Sequence, residues 1–350
     1  MRIRPATMPR LFVHAINLHQ GGGAVLLCDL LRAIPPEVET IVHVDARMGV
    51  PADMPDHVRF ERVEPTLLGR FAAECRLAGT VAPDDRVLCF GNLPPLFRLP
   101  GEAAVFLQNR YLVDPRAPLG ELPLKQRIRL WLERAWLRGR RHNASRYIVQ
   151  TPSMQRLAAQ QLGVAVSCTP FVPAGVLGQA GGRTGQEFDF IYVASGEAHK
   201  NHAALIEAWG MLADEGVFPS LALTLAPEAA PSLCVSVAQA AARGLRIQNV
   251  GILPHDRLLA IYRTSGALIY PSSFESFGLP LIEARQAGLP VLAPELDYVR
   301  DVTDPDETFD PRSPISIARA VRRHLEGRTQ YPEPRGAEAL LDHVLARKAS

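Results

Sequence analysis

The sequence predicts an α/β protein built from two domains, each with a mostly parallel sheet. Short apolar runs alternate with helical patterns along most of the chain, which is typical of successive βα units. The chain has 350 residues, enough for two separate cores. Residues 173–187 contain five glycines and little apolar periodicity, so we expect a linker there.

Each expected element follows from local pattern, because buried parallel strands are short continuous apolar runs and helices show a period near 3.6. In the first domain, residues 1–172, strands are expected at 11–16, 40–44, 86–90, 103–108 and 146–150, with a helix at 24–33. In the second domain, residues 188–330, strands are expected at 188–193, 220–225, 247–250, 267–270 and 290–293, and helices at 203–214, 255–264 and 314–326. The tail at 335–347 is also expected to be helical.

Composition points to a soluble globular protein. Hydrophobic residues make up 47% of the chain and charged residues 21%, which are ordinary values for that class. No apolar run approaches the length of a membrane span, and the polar, proline-rich start does not resemble a signal peptide. The cysteines are odd in number, scattered and free of any C-x-x-C pair, which favours a reducing cytoplasm and no zinc site.

The net charge of +2 conceals an asymmetry between the halves. Residues 1–172 carry 22 basic and 15 acidic side chains, whereas residues 173–350 carry 16 and 21. The basic excess is concentrated at 125–146, where eight Lys or Arg residues face only Glu133. No nucleic-acid partner is expected from this pattern.

Residues 125–141, from Lys125 to Arg141, begin as a basic helix with tryptophan and leucine interleaved. Such helices lie on anionic membrane surfaces, where Trp131 and Trp136 would suit the interface. The alternative is a domain helix whose apolar side chains pack inward while its arginines are solvated. Both interpretations can hold for different faces.

The most informative motif combines two glutamates with a strand, a turn and a helix start. Glu275 and Glu283 are separated by seven residues, and the run at 267–270 is typical of a buried strand. Gly278 permits a tight turn, and Pro280 suits the first turn of a helix. Carboxylates accept hydrogen bonds from sugar hydroxyls, so one glutamate could hold a ribose and the other a hexose.

The helix start supplies a second kind of binding group. The backbone N–H groups around Phe277, Gly278 and Leu279 have no acceptor within the helix. They can therefore hold an anion such as a diphosphate.

This segment resembles the Glu-x7-Glu signature of retaining glycosyltransferases with the GT-B fold, the large bacterial group 1 or family 4 type. The resemblance implies that Glu275 lies by the donor sugar and that Glu283 binds the ribose of a sugar nucleotide. It also implies two Rossmann-like domains facing a cleft, with a C-terminal helix at 331–350 crossing back to the first domain. The alternative is that two surface glutamates flank an ordinary α/β turn.

A glycine triplet follows the first strand, at residues 21–23. A glycine-rich turn there lets the backbone approach a phosphate or an acceptor. It lacks the G-x-G-x-x-G form of a dinucleotide site, and it also fits simple packing of strand against helix. The resemblance implies that Gly22 and Gly23 lie beside the acceptor and the donor diphosphate.

The segment 193–202 resembles the family's phosphate clamp, which is formed by an arginine and a lysine. Lys200 matches the lysine, but Ser195 stands where the arginine is usual. His199, His202 or an arginine from elsewhere could substitute. The alternative for Lys200 is a surface lysine at a helix start.

A further candidate follows the strand at 103–108. Many relatives have a histidine near here, whereas this chain has Gln108 and Asn109. Amides can orient a hydroxyl but cannot act as general bases, so Asn109 is a candidate for positioning and Arg110 for approaching a phosphate. A strand-end amide that satisfies the backbone is the alternative. The Asp-Pro-Asp at 304–306 reads as a turn, and no catalytic metal or other cofactor is expected.

The resemblance implies transfer of a hexose from a nucleotide diphosphate sugar to an acceptor hydroxyl, with retention at the anomeric carbon. Lys200, the helix N-terminus and the glycine turn would stabilise the leaving diphosphate. The donor is expected to be GDP- or UDP-linked, with GDP-mannose first. The acceptor is expected to be a glycan or a lipid-linked oligosaccharide of a surface polysaccharide. The alternatives are a catalytically silent protein of this fold that binds a sugar nucleotide or a partner, and a sugar-nucleotide epimerase.

Overall fold

The computed structural model describes residues 9–19, 21–173 and 185–327, and it contains two parallel sheets. The first has seven strands in the order β3-β2-β1-β4-β5-β6-β7. These are β1 (Leu11–Ala15), β2 (Thr40–Asp45), β3 (Val58–Val63), β4 (Arg86–Cys89), β5 (Glu102–Phe106), β6 (Arg146–Val149) and β7 (Val166–Cys168). The helices of this part are α1 (Gly22–Arg32), α2 (Leu67–Thr80), α3 (Leu124–Gly139) and α4 (Pro152–Leu162).

The second sheet has six strands in the order β10-β9-β8-β11-β12-β13. Its strands are β8 (Phe188–Tyr192), β9 (Leu221–Leu223), β10 (Ile247–Asn249), β11 (Ser265–Ile269), β12 (Val291–Pro294) and β13 (Glu307–Phe309). Its helices are α5 (His202–Asp214), α6 (Pro231–Ala242), α7 (His255–Arg263), α8 (Leu279–Gln286), α9 (Asp297–Arg300) and α10 (Pro314–Glu326).

Both sheets confirm the α/β prediction, and every strand expected from the sequence is present within a residue or two. The elements that the sequence patterns did not indicate are β3, β7, β13, α2, α4, α6 and the short α9. The linker expected at 173–187 lies largely outside the described residues, and the helix expected at 331–350 lies wholly outside them.

The strand order creates two points where neighbouring strands lead to opposite sides of their sheet. They fall between β1 and β4 in the first sheet and between β8 and β11 in the second. Ligands of open parallel sheets bind at such points, beyond the carboxyl ends of the strands. The glycine triplet follows β1, the Lys200 loop follows β8, and the Glu275 loop follows β11, so all three motifs lie at these edges.

The basic segment forms α3, and its two faces differ. Leu130 and Leu137 are buried against the first sheet, and Trp136 is half-buried, with its indole N–H donating to the carbonyl of Pro94 at 3.0 Å. Trp131, by contrast, is 67% exposed. Inward packing is therefore correct for one face only. Within the described residues, no helix combines the length and apolar character needed to cross a bilayer.

The Asp-Pro-Asp at 304–306 lies in the connection before β13. Asp304 pairs with Arg300 at 2.8 Å, and Asp306 pairs with Arg285 at 2.7 Å. Asp306 also accepts a hydrogen bond from the backbone N–H of Val291. These carboxylates hold local structure, as expected for a turn.

Candidate functional site

The two sheets face a cavity of about 700 Å³, lined by residues of both. Ten residues singled out from the sequence line it: Gly22, Gly23, Asn109, Ser195, Lys200, Glu275, Phe277, Gly278, Leu279 and Glu283. We call this cavity the cleft. Residues more than 250 positions apart therefore meet in one site.

The N-terminus of α8 opens onto the cleft. Gly278 caps the helix with φ +75°, a left-handed conformation that favours glycine. A Cβ at this position would also lie 3.0 Å from a Cδ atom of Leu281. Pro280 occupies the first turn, where its missing N–H costs nothing. The free N–H groups of this turn are able to hold an anion.

Lys200 and Glu275 form an ion pair inside the cleft, with side chains only 12% and 14% exposed. The hydroxyl of Tyr270 donates to the same glutamate oxygen at 2.9 Å. Burial alone would raise the pKa of Glu275, but the ammonium of Lys200, a hydrogen bond from Ser272 and the nearby His199 together outweigh that effect and hold the pKa below its ordinary value. Lys200 is thus a buried cation fixed within the site, and the surface-lysine alternative is wrong.

Glu283 is buried, with 3% exposure, and it lines the cleft from α8. Tyr262 donates its hydroxyl hydrogen to one carboxylate oxygen at 3.1 Å, and Nδ1 of His255 lies 3.7 Å from the other. Burial raises the pKa of Glu283. The interpretation of both glutamates as exposed surface residues is therefore wrong.

His255 is a cleft residue that sequence reasoning missed. Its side chain lines the cleft, and its buried Nε2 has no hydrogen-bond partner among the described residues. The only signal in the sequence was a histidine beginning a helix after a proline. Its proximity to Glu283 arises because α7 packs beside α8.

Ser195 lies in the loop after β8, where its hydroxyl donates to the carboxylate of Glu197. Of the two histidines considered as substitutes for the arginine, His199 lines the cleft, with Nδ1 3.3 Å from the hydroxyl of Tyr111. Burial lowers the pKa of His199 and raises that of Tyr111 to about 12. His202 is 3% exposed and packs against the ring of Tyr192, so its role as a substitute is wrong.

The N-terminus of α1 faces the cleft from the first sheet. Gly21 precedes the helix with φ +75°, and a Cβ at Gly22 would meet nothing within 4 Å. A Cβ at Gly23 would lie 2.8 Å from Leu18 and 3.4 Å from the side-chain oxygen of Gln108. Gly23 thus serves packing, while Gly22 leaves the backbone open to a ligand.

Asn109 has the structural role considered for it, as an amide that satisfies the backbone. Its side-chain oxygen accepts from the backbone N–H of Tyr111 at 3.0 Å and caps the 3-10 turn Arg110–Leu112. Its own N–H donates to the side-chain oxygen of Asn92, another cleft residue. Only the amide NH₂ of Asn109 is left to orient a ligand.

Arg110 crosses between the two sheets. It donates to Asp114 on its own side at 2.9 Å, and to Asp297 at 2.9 Å and the carbonyl of Glu275 at 3.1 Å on the other. Its guanidinium also lies 5.0 Å from the ring centre of Phe274. A phosphate would have to replace these partners to bind Arg110.

Comparison with known proteins gives one family and several relatives. Residues 179–338 match the family model described as "Glycosyl transferases group 1". The chain is 30% identical over 148 residues to the serotype-specific mannosyltransferase WbdA of Escherichia coli, covering 42% of this chain and 18% of that protein. It is 31% identical over 88 residues to the O-antigen chain mannosyltransferase B of Escherichia coli, covering 24% and 23%. The chain therefore spans about a fifth of the length of these curated relatives.

Solved structures resemble the whole described arrangement. HepE of Anabaena, in complex with UDP and glucose, matches with a TM-score of 0.64 at 14% identity, over 91% of this chain and 90% of that chain. The sucrose-phosphate synthase of Thermosynechococcus elongatus matches with a TM-score of 0.65 at 16% identity over the same shares. At such low identity these likenesses establish the fold alone.

Proposed function

Because the chain carries a domain of the glycosyltransferase group 1 family and has the GT-B fold, we propose that it is a retaining hexosyltransferase. It moves a hexose, mannose in the first instance, from a nucleotide diphosphate sugar to a hydroxyl of a glycan or lipid-linked oligosaccharide. The observation that carries this proposal is one cleft in which a buried lysine and two helix N-termini accompany two buried carboxylates.

The carboxylates of Glu283 and Glu275 can bind the two sugars of the donor, the ribose and the hexose. Glu283 is held by Tyr262 on one oxygen, and its other oxygen faces His255 at the cleft wall. Ribose hydroxyls donating to this carboxylate would form charge-assisted hydrogen bonds, which are stronger than neutral ones. Glu275, fixed by Lys200 and Tyr270, is then the acceptor for hydroxyls of the transferred hexose.

Lys200 and the N-termini of α8 and α1 can bind the diphosphate that lies between the ribose and the hexose of the donor. Lys200 supplies a full charge, and the first turns of α8 and α1 supply backbone N–H groups and the positive ends of their dipoles. As the sugar–phosphate bond breaks, negative charge grows on the leaving diphosphate. Groups already fixed around that charge stabilise the transition state more than the ground state.

The relatives suggest the donor and the setting. Two curated relatives are named as mannosyltransferases, and the name of one of them refers to the O-antigen chain, which supports mannose and a surface polysaccharide. A structural relative binds UDP and glucose, so UDP-sugars are tested beside GDP-mannose. We also propose a cytoplasmic protein held at the inner face of the membrane, and the exposed basic face of α3 supports the attachment. Our proposal requires neither metal nor cofactor.

The test is incubation with GDP-mannose, UDP-glucose and related donors, with nucleoside diphosphate release measured in the presence of a mannoside acceptor. We expect release with one donor class and an α-linked product, whose anomeric configuration NMR reports. Inversion would contradict the retaining assignment.

A catalytically silent protein of this fold remains the alternative, because Ser195 and Asn109 stand where relatives have an arginine and a histidine. A donor that binds in calorimetry but is never consumed with any acceptor would favour that alternative. Donor consumption without transfer, giving a changed sugar, would favour an epimerase.

A further inference from the structure

A second cavity, of about 750 Å³, lies in the first domain between α2 and α3. We call it the α2–α3 groove. Its walls are apolar: Leu67, Leu68 and Phe71 on α2, and Ile128, Leu132 and Trp136 on α3. Leu67 and Leu68 are 88% and 83% exposed, and side chains of this kind gathered in one hollow mark a binding surface.

The rim of the groove is cationic. Arg70, Lys125 and Arg129 all line it. Arg129 is paired with Glu133 at 2.8 Å, and the guanidinium of Arg70 lies 3.9 Å from the carboxylate of Asp45. Lys125 has no ion-pair partner among the described residues. The rim therefore offers donors to an anion placed at the mouth of an apolar slot.

The polar side chains at the base of the groove already have hydrogen-bond partners within the protein. Glu74 accepts from the backbone N–H of Leu96 at 2.8 Å, and its other oxygen lies 3.1 Å from Nε2 of His14. The second nitrogen of His14 lies 3.0 Å from Nδ1 of His43. These polar groups satisfy one another, so an apolar chain can lie over them without leaving a hydrogen bond unmade.

The groove adjoins the cleft. Asn17 and Gly91 line the groove, and the residues that follow them, Leu18 and Asn92, line the cleft. The side-chain NH₂ of Asn17 donates to the carbonyl of Gly91 at 2.7 Å and ties the two loops together. A ligand with its apolar end in the groove can thus present its other end to the cleft.

Building on the transferase function above, we propose that the α2–α3 groove binds the hydrocarbon chain of a lipid-linked acceptor. The phosphate or diphosphate of that acceptor binds the cationic rim, and its sugar enters the cleft. Three features together select this occupant: apolar walls, a cationic mouth, and continuity with the cleft. A bilayer would meet the exposed Trp131, which lies outside the groove, but would not need a slot that leads to the cleft.

The test uses farnesyl diphosphate in vesicle-free buffer, below its micelle concentration, with binding measured by calorimetry. The wild type should bind it, and Leu68→Asp and Leu132→Asp should each weaken binding by about tenfold or more, since a charge replaces apolar contact. Trp131→Asp is the matched control on α3 and should bind normally. Inorganic diphosphate and farnesol alone should each bind more weakly than the joined molecule.

Binding of a nucleoside diphosphate to the cleft, measured on the same variants, reports folding independently and should be unchanged. Equal affinity of all variants for farnesyl diphosphate, or no binding to the folded wild type, would overturn the proposal. A wild-type dimer that Leu132→Asp converts to monomer would overturn it by making the groove an interface between copies. Absence of donor turnover with a soluble acceptor would refute the transferase function, while the farnesyl diphosphate result would still decide the groove.

Discussion

Lys200 and Glu275 neutralise each other in the cleft that we propose receives a diphosphate. Their side chains are more than four-fifths buried, so each charge depends on the other for compensation. A phosphate entering the cleft would share Lys200 with Glu275. The pair thus holds the Lys200 side chain in position and lowers the pKa of Glu275.

Removing Lys200 should impair turnover and stability separately. Lys200→Met should lower kcat more than it raises the donor KM, because the charge acts mainly on the leaving group. It should also cost about 3–5 kcal/mol of stability, since Glu275 is left buried without its partner. The double variant Lys200→Met/Glu275→Gln should recover much of that stability without recovering turnover. Near-normal kcat in Lys200→Met would reject the assignment and direct attention to Arg110.

The two glutamates should influence stability with opposite dependence on pH. The pKa of Glu275 is lowered on folding, so its contribution is present above the ordinary value of about 4.3 and is lost as pH falls through the folded pKa. The pKa of Glu283 is raised by burial, so its contribution is present below about 4.3 and is lost as pH rises through the folded pKa. Chemical denaturation at several pH values, comparing Glu275→Gln and Glu283→Gln with the wild type, checks this. If the difference in unfolding free energy from the wild type changed with pH in the same direction for both variants, the prediction would be contradicted.

Helix α8 shows how one short element places several ligand-binding groups together. Its N-terminus opens onto the cleft, and Glu283 projects from its second turn into the same space. The sequence predicted this helix well, because the strand, Gly278 and Pro280 all constrain the backbone locally. Contacts between residues far apart in the sequence leave no such local pattern, so the sequence did not predict them. The pairing of His255 with Glu283, and of Arg110 with Asp297, joins residues that only the fold brings together.

The strands and helices that the sequence did not predict have unusual local patterns. Strand β3 alternates apolar residues with Arg59, Glu61 and Arg62 at the sheet edge, so it lacks the continuous apolar run of a central strand. Helix α2 begins with Leu67 and Leu68 facing outward, which breaks the usual pattern of a buried apolar stripe. These two exposed leucines line the α2–α3 groove, where we propose that they contact a hydrocarbon chain.

Substitution of Gly278 tests the proposed α8 anion site against a control at Gly288, just beyond the C-terminal end of the same helix. Gly278→Ala and Gly288→Ala replace glycines with φ +75° and +76°, so both should lose about 1–3 kcal/mol of stability from backbone strain. A Cβ at Gly278 also meets Leu281 at 3.0 Å, whereas one at Gly288 meets nothing within 4 Å. Only Gly278→Ala should therefore displace the helix start and weaken nucleoside diphosphate binding in calorimetry. Equal affinity in the two variants would argue against the anion site.

At the scale of the whole molecule, several contacts join the two sides of the cleft. Arg110 binds Asp297 across it, and the ring of Tyr111 packs 4.6 Å from that of Phe274. A weaker pair, Arg312 with Glu121, adds to these at the surface. Because the Arg110 contact ends on the Glu275 carbonyl as well, the position of one domain is linked to the loop that holds the proposed hexose site.

The molecule also carries its basic excess on the domain that we propose binds the acceptor. On α3, Leu124, Ile128 and Trp131 are 68%, 53% and 67% exposed beside the basic side chains. We therefore expect the wild type to co-sediment with anionic vesicles at low salt and to be released at high salt, because such attraction is screened over about 10 Å at 0.1 M. Each basic residue near an anionic surface contributes about 1 kcal/mol. Arg127→Glu should thus weaken sedimentation strongly, while Arg243→Glu, an exposed arginine after α6, should not.

Trp131→Ser separates the apolar part of this attachment from the electrostatic part. It should reduce vesicle binding at every salt concentration while leaving the salt dependence unchanged, since it removes interfacial contact but no charge. Equal partitioning of the wild type to neutral and anionic vesicles would contradict electrostatic attachment. If neither vesicle binds, α3 is an ordinary domain helix with respect to membranes. Delivery of a lipid-linked acceptor would then depend on the α2–α3 groove alone.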